Sequence, residues 1–164
     1  MIKMLHQNIR PLAILGLLIF ILPGCSATGP LFQPASLKDD SALVYLYRES
    51  KLAGCGNVFT IIVNDNAVAN FASGSYFPMY SPAGELEFIA VNHLRPPFLL
   101  SAIARAELKK KVQLQLTVKA GSIYYVRIVH GFGGIKLEQV SDTIGQQEIA
   151  QLNLAEKSQD NGEQ

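Results

Sequence analysis

The stretch that most narrows the folding options of this chain is residues 111–119. Val112, Leu114, Leu116 and Val118 alternate there with Lys111, Gln113, Gln115, Thr117 and Lys119. A period of two puts the apolar set on one face of a strand and the polar set on the other, so one face is buried and one is wet. Related short runs recur along the chain. Residues 42–48 (ALVYLYR) are apolar on both alternating faces, as a central strand requires. Residues 58–63 (VFTIIV) are rich in β-branched side chains. Asn64-Asp65-Asn66 then accepts the left-handed backbone of a tight hairpin, and residues 67–71 return as the partner strand. Gly74-Ser75-Tyr76-Phe77 opens another strand. Ser81-Pro82-Ala83-Gly84 has the chemistry of a type I turn and feeds residues 85–91. Ala120-Gly121 turns the chain into residues 123–129, and residues 131–134 turn it into 135–140. Short strands at regular spacing with turn residues between them predict an all-β fold, a small antiparallel β-sandwich.

Two stretches break this rhythm. Residues 95–110 begin with Pro96-Pro97 and fit either a loop with a short helix at 99–108 or an extended edge. Residues 143–156 predict one short C-terminal helix, with Thr143 and Gln146 as a capping box and Ile149 and Leu152 facing inward. Gly145 in its first turn works against that helix.

The N-terminus has a different texture. Lys3 and Arg10 stand without an acid, and residues 12–22 (LAILGLLIFIL) are apolar without a break. That run is shorter than the about 20 residues a spanning helix needs, and it matches the apolar region of a signal peptide. Leu22-Pro23-Gly24-Cys25 follows. It resembles the lipobox of bacterial lipoproteins, with Leu22, Gly24 and Cys25 on the pattern and Pro23 a departure from it. The resemblance implies signal-peptidase recognition at Leu22, Pro23 and Gly24 and lipidation of Cys25, with covalent diacylglycerol and N-acyl lipid and no other cofactor. Ser26 in place of an acid implies sorting to the outer membrane, with the domain facing the periplasm. Cys25-Ser26-Ala27 also presents small residues to an ordinary signal peptidase, so cleavage after Ala27 and secretion is the competing reading. A buried cytosolic helix is disfavoured because the run has no polar face.

The domain reading follows. Residues 1–24 are a lipoprotein signal peptide, 25–40 a flexible membrane tether rich in Gly, Pro, Ser and Thr, 41–154 the sandwich and 155–164 a disordered tail. Without residues 1–24 the chain carries 12 basic residues against 13 acids, a balance that gives no reason to expect nucleic acid as a partner. With Cys25 lipidated, Cys55 is left as a free thiol in a loop between Gly54 and Gly56. A Cys25–Cys55 bridge and an intermolecular disulfide stay open beside it.

Several segments in order carry a family likeness: Val44-Tyr45-Leu46-Tyr47-Arg48, Gly74-Ser75-Tyr76-Phe77, Pro82-Ala83-Gly84 and the run from Ala120 to Arg127. Together with the lipobox they resemble the domain-of-unknown-function family 2846 over roughly residues 40–150. Pro82-Ala83-Gly84-Glu85 is loosely similar to the small sandwich repeats named for a Pro-Glu-Gly-Ala motif, so the sandwich is expected to be immunoglobulin-like or of that repeat type. Neither resemblance implies a catalytic site.

Ser75, Ser81 and Ser101 sit in no G-x-S-x-G elbow. Cys55 with His93 or His130 allows a nucleophile–base pair or a metal site only by coincidence of type, because no close-spaced ligand pair exists. Gly131-Phe132-Gly133-Gly134 has no helix behind it to receive a phosphate and reads as a turn. Lys109-Lys110-Lys111 fits edge protection of a strand. Tyr45 with Tyr47, and Ile123 with Tyr125, share strand faces and fit core packing better than a ligand platform. Phe98-Leu99-Leu100 is an apolar loop suited to a partner or a membrane. The expected function is a lipid-anchored envelope protein with no catalytic residues and no metal, a binding or structural module. Its partners are the membrane and another envelope protein. A hydrolase of envelope material and a secreted soluble sandwich are the alternatives.

Overall fold

The computed structural model describes residues 26–92, 112–131 and 134–158. Strand β1 (Ala42–Arg48) lies at the centre, and all seven of its residues are buried. Parity divides them. Ala42, Val44 and Leu46 face one core, and Leu43, Tyr45 and Tyr47 face another. A strand covered on both sides has no wet face, and its sequence therefore has no polar alternation until Arg48.

The other elements are β2 (Phe59–Val63), β3 (Asn66–Phe71), β4 (Ser75–Ser81), β5 (Gly84–Asn92), β6 (Leu114–Val118), β7 (Ile123–Gly131), β8 (Gly134–Val140), α1 (Asp142–Ile149), β9 (Asn153–Leu154) and β10 (Glu156–Lys157). They form two five-stranded sheets, ordered β8-β7-β1-β4-β9 and β10-β3-β2-β5-β6. The fold is a small all-β sandwich with one short helix among the described residues. Asn64 and Asp65 take φ of 47° and 68° and close the β2–β3 hairpin as their side chains predict. Pro82-Ala83-Gly84 carries the chain from β4 in the first sheet to β5 in the second. Phe59, Phe71 and Phe88 fill the space between the sheets.

One departure from the expected antiparallel order lies in the first sheet, where β1 runs parallel to β7 and β4 parallel to β9. Parallel neighbours need a long crossover. Here the chain supplies it by visiting the second sheet between β1 and β4 and again between β4 and β7.

The strand expected over 111–119 is shorter. Lys111 lies outside the described residues, and the ladder with β5 begins at Leu114. Gln113 ends it: its N–H donates to Phe88 O at 2.9 Å, and its side-chain Oε1 accepts from Ala90 N–H at 2.8 Å. Within β6 the predicted alternation holds, with Leu116 and Val118 buried and Gln115 and Thr117 exposed.

The flexible tether expected over 25–40 is corrected for its described part. Residues 26–36 are strapped along the domain. Ser26 bridges to Ser73 and Leu31 to Asn153. Ala27 N–H donates to Ser73 O at 3.0 Å, Phe32 N–H to Leu152 O at 2.8 Å, and Leu154 N–H to Pro30 O at 2.8 Å. The Phe32 ring stands edge-on to Tyr45 and Tyr76 at centroid distances of 5.7 and 5.0 Å. A Gly- and Pro-rich composition removes helix and strand propensity, but it does not remove main-chain donors and acceptors.

The tail boundary moves as well. Ala155 is buried, Glu156 and Lys157 pair with Asn70 and Ala69, and Ser158 N–H donates to Val68 O at 3.1 Å. The expected disorder from residue 155 therefore gives way to an edge strand through 157. Residues 159–164 lie outside the described residues.

Helix α1 starts earlier than the proposed capping box and ends at Ile149. Ser141 holds the N-cap position without a side-chain cap bond. Ile149 and Leu152 are buried as predicted. Gly145 proves essential. A Cβ there would lie 2.1 Å from the Tyr125 ring, so only glycine lets the helix rest on β7.

Candidate functional site

Two polar clusters flank β1, one at its end and one on its outer face. The first begins with parity. Arg48 follows Leu46 on the inner face, so its side chain enters the space between the sheets and is 4% exposed. Its guanidinium lies over the Phe59 ring at 4.7 Å. Nη1 donates to Asn57 O at 2.5 Å and to Phe71 O at 3.2 Å, and Nη2 to Gly54 O at 2.8 Å. Three carbonyls thus replace the water lost on burial. Burial pulls the Arg48 pKa below its ordinary value, and the nearby Cys55 acts in the opposite sense.

His130, two positions after Ile128 on β7, reaches the same end, with its ring 5.1 Å from Phe59. Gly54 packs against it at φ 74°, and a Cβ there would lie 2.6 Å from His130 Nδ1. Arg48, Phe59, His130 and the 49–58 loop therefore plug one end of the inner core. Cys55 is half-buried in this loop and, among the described residues, is a free cysteine. A shallow cleft lined by Arg48, Glu49, Lys51, Ala53, Ile128 and His130 opens beside it, with room for about one water.

The second cluster lies on the outer face. Tyr47 donates to Glu148 Oε2 at 2.5 Å, tying β1 to α1. Arg127 Nη1 donates to Glu148 Oε1 at 2.6 Å, and its Nε and Nη2 donate to Glu138 Oε1 at 2.9 and 2.6 Å. Lys136 Nζ donates to Glu138 Oε2 at 3.1 Å. Burial, and then the Glu148 carboxylate, push the Tyr47 hydroxyl far above its ordinary range. Arg127 and then Lys136 hold the Glu138 carboxyl below its ordinary value. Burial alone would lower the Arg127 pKa, but Glu138 and Glu148 outweigh it.

The candidates from the sequence separate as follows. Cys55 and His130 are brought to one end. Ser75 is fully buried and donates to Ala72 O at 2.8 Å, and Ser81 donates to Pro82 O at 3.1 Å. Tyr45, Tyr47, Tyr76 and Tyr125 form a buried cluster with Ile149 and Leu152. They are packing, not a platform. Among the described residues, no group of three or more His, Cys, Asp or Glu is placed to hold a metal ion. Leu22, Pro23, Gly24 and Cys25 lie outside the described residues. So do His93, Ser101, Phe98-Leu99-Leu100 and Lys109-Lys110-Lys111. Sequence reasoning places Tyr47 in the packing and does not give Arg48 as a buried charge or the chain of bonds from Tyr47 through Glu148 and Arg127 to Glu138. Arg48 alone carried a readable signal, a charge at inward parity at the end of an apolar strand.

Among curated proteins, no sequence match to the chain is found. The model of the family described as "Protein of unknown function (DUF2846)" matches residues 38–140, more than half of the chain, and the chain belongs to that family.

Proposed function

We propose that this protein is a lipid-anchored envelope protein, acylated on Cys25, whose β-sandwich is a non-catalytic binding or structural module. It faces the periplasm from the outer membrane and engages another envelope protein. The observation that carries the reading is the strap. Ser26 and Ala27 are built into the fold: Ser26 bridges to Ser73, Ala27 N–H bonds Ser73 O, and Asn153 Nδ2 donates to Ala27 O at 2.7 Å. Cleavage before Cys25 keeps these contacts, whereas cleavage after Ala27 discards them. That favours lipoprotein processing over ordinary secretion. The non-catalytic part is supported by the commitment of the polar side chains. Arg48 is tied to three carbonyls, Glu148 to Tyr47 and Arg127, and Ser75 to Ala72.

The test is the intact mass of the protein extracted from membranes of its native host, beside a Cys25→Ala variant. The expected mass is that of residues 25–164 plus glyceryl and acyl groups, lost in the variant together with membrane association. An unmodified soluble chain beginning at Thr28 would sink the reading.

A further inference from the structure

The strap has a consequence for how the domain sits once anchored, and it rests on the lipoprotein reading above. We propose that the end of the sandwich bearing the 49–58 loop lies against the membrane surface, with Leu52 entering the headgroup layer.

Three observations converge on this end. The first is the leash. A flexible linker of fifteen residues would let the domain drift about 20 Å from its anchor in any orientation. Here Ser26, next in sequence to Cys25, is bridged to Ser73. Ser73 Oγ accepts from Lys51 N–H at 3.0 Å and donates to Lys51 O at 3.1 Å. Leu52 follows directly, so it lies within roughly 15 Å of Ser26, the residue next to the acylated position. Acyl chains in the bilayer therefore draw this loop to the surface.

The second is exposure. Leu52 is 95% exposed, the most exposed of the large apolar side chains described. Ala53 and Gly56 beside it are exposed as well. The loop is held from behind by Arg48, which bonds the carbonyls of Gly54 and Asn57. A rigid loop can present one leucine to lipid without paying to order itself.

The third is charge. The opposite end holds the Asn64-Asp65 hairpin, the Pro82–Gly84 turn and the Gly121 turn. Exposed Asp39, Asp40, Asp65, Glu85 and Asp142 gather there against Lys38 and Lys119. Among the described residues of the loop end, Lys51 pairs with Glu49 at 2.8 Å, and no acidic cluster like that of the opposite end is found. The two ends are about 20 Å apart along β1, some two screening lengths at physiological salt. An anionic lipid surface is repelled by the acidic end and meets no such cluster among the described residues of the loop end.

The chain has no tryptophan, so an introduced indole is the sole reporter of its kind. The mature acylated protein would be reconstituted into vesicles of phosphatidylethanolamine and phosphatidylglycerol with brominated acyl chains. Leu52→Trp would be compared with Lys119→Trp at the acidic end; both positions are exposed, so both variants fold. Expected are a blue-shifted emission and about twofold or greater quenching for Leu52→Trp, with Lys119→Trp unchanged. An acylated, vesicle-bound protein whose Leu52→Trp indole is unquenched, or whose Lys119→Trp indole is the quenched one, overturns the orientation and leaves the anchor intact. A sample with unmodified mass that does not associate with vesicles removes the anchor and the orientation together.

Discussion

The two faces of β1 are buried equally well and held by different means. On the inner face Ala42, Val44 and Leu46 meet Phe59, Ile61, Phe71 and Phe88, a core of hydrocarbon closed by two sheets whose main chains satisfy themselves. On the outer face Leu43, Tyr45 and Tyr47 meet a helix and an irregular strap. The strap has few ladder partners, so side chains fix its place. Tyr76 OH accepts from Gln33 N–H at 3.2 Å, Tyr45 OH accepts from Ala35 N–H at 2.8 Å, and Tyr80 OH donates to Ser36 O at 2.6 Å. The lesson is that apolar area suffices to close sheet on sheet, whereas irregular chain is seated on a sheet by individual bonds, main-chain ones over 27–32 and tyrosine hydroxyls over 33–36.

The contrast can be broken from the inner side first. Phe88 is fully buried between the sheets. Phe88→Ala is expected to cost about 3–5 kcal/mol, read as a lowered urea midpoint with one cooperative transition. A loss below about 1 kcal/mol would mean that the inner core does not carry the fold.

On the outer side the largest effect belongs to Gly145. Gly145→Ala drives a methyl into the Tyr125 ring and is expected to cost about 3 kcal/mol. Hydrogen exchange should show 142–155 opening before the sheets. Uniform loss of protection in both sheets would contradict the division. Tyr47→Phe removes the donor to Glu148 and is expected to cost about 2 kcal/mol. In a double-mutant cycle Tyr47→Phe and Glu148→Gln together should cost less than the sum of the two single losses, and strict additivity would show the bond to be inert.

Smaller effects sharpen the picture. Phe32 is the half-buried side chain by which the strap packs on Tyr45 and Tyr76, and Phe32→Ala is expected to cost about 1 kcal/mol. Its signature is faster exchange at Gln33 and Ala35 with the inner core unchanged. The smallest effect is pH-dependent. Glu138 has a folded pKa below its ordinary value of 4.5, held there by Arg127 and Lys136. Its stabilising contribution is therefore present above 4.5 and is lost as pH falls through the depressed folded value. Glu138→Gln should flatten that part of the acid limb, and an unchanged limb would assign it to other carboxylates.

Legibility followed the physics of each element. β1, the Asn64-Asp65 hairpin and the Pro82–Gly84 turn were readable because burial on two faces, left-handed backbone and turn chemistry are written into a few adjacent residues. Gly145 was misread as a helix weakness because its value lies in a contact with Tyr125, twenty residues away. The strap reads as a tether because its partners, the main chain of Ser73, Leu152 and Leu154 and the hydroxyls of Tyr45, Tyr76 and Tyr80, lie far along the chain, and local composition records none of them. Arg48 announced a buried charge by its parity, but not the three carbonyls that receive it. The Tyr47–Glu148–Arg127–Glu138 chain joins residues spread over a hundred positions, and no local pattern encodes such a meeting.

By itself, then, the sequence determined the class of fold, the sites of most turns and the residues that must be buried, because these depend on period and on the backbone freedom of single residues. The tertiary structure alone decided that β1 and β7 run parallel, that residues 26–36 lie on the domain and that Arg48 and His130 close one end of the core. Those features depend on which distant surfaces come together, and that is settled when the two sheets and their covering segments pack as one body.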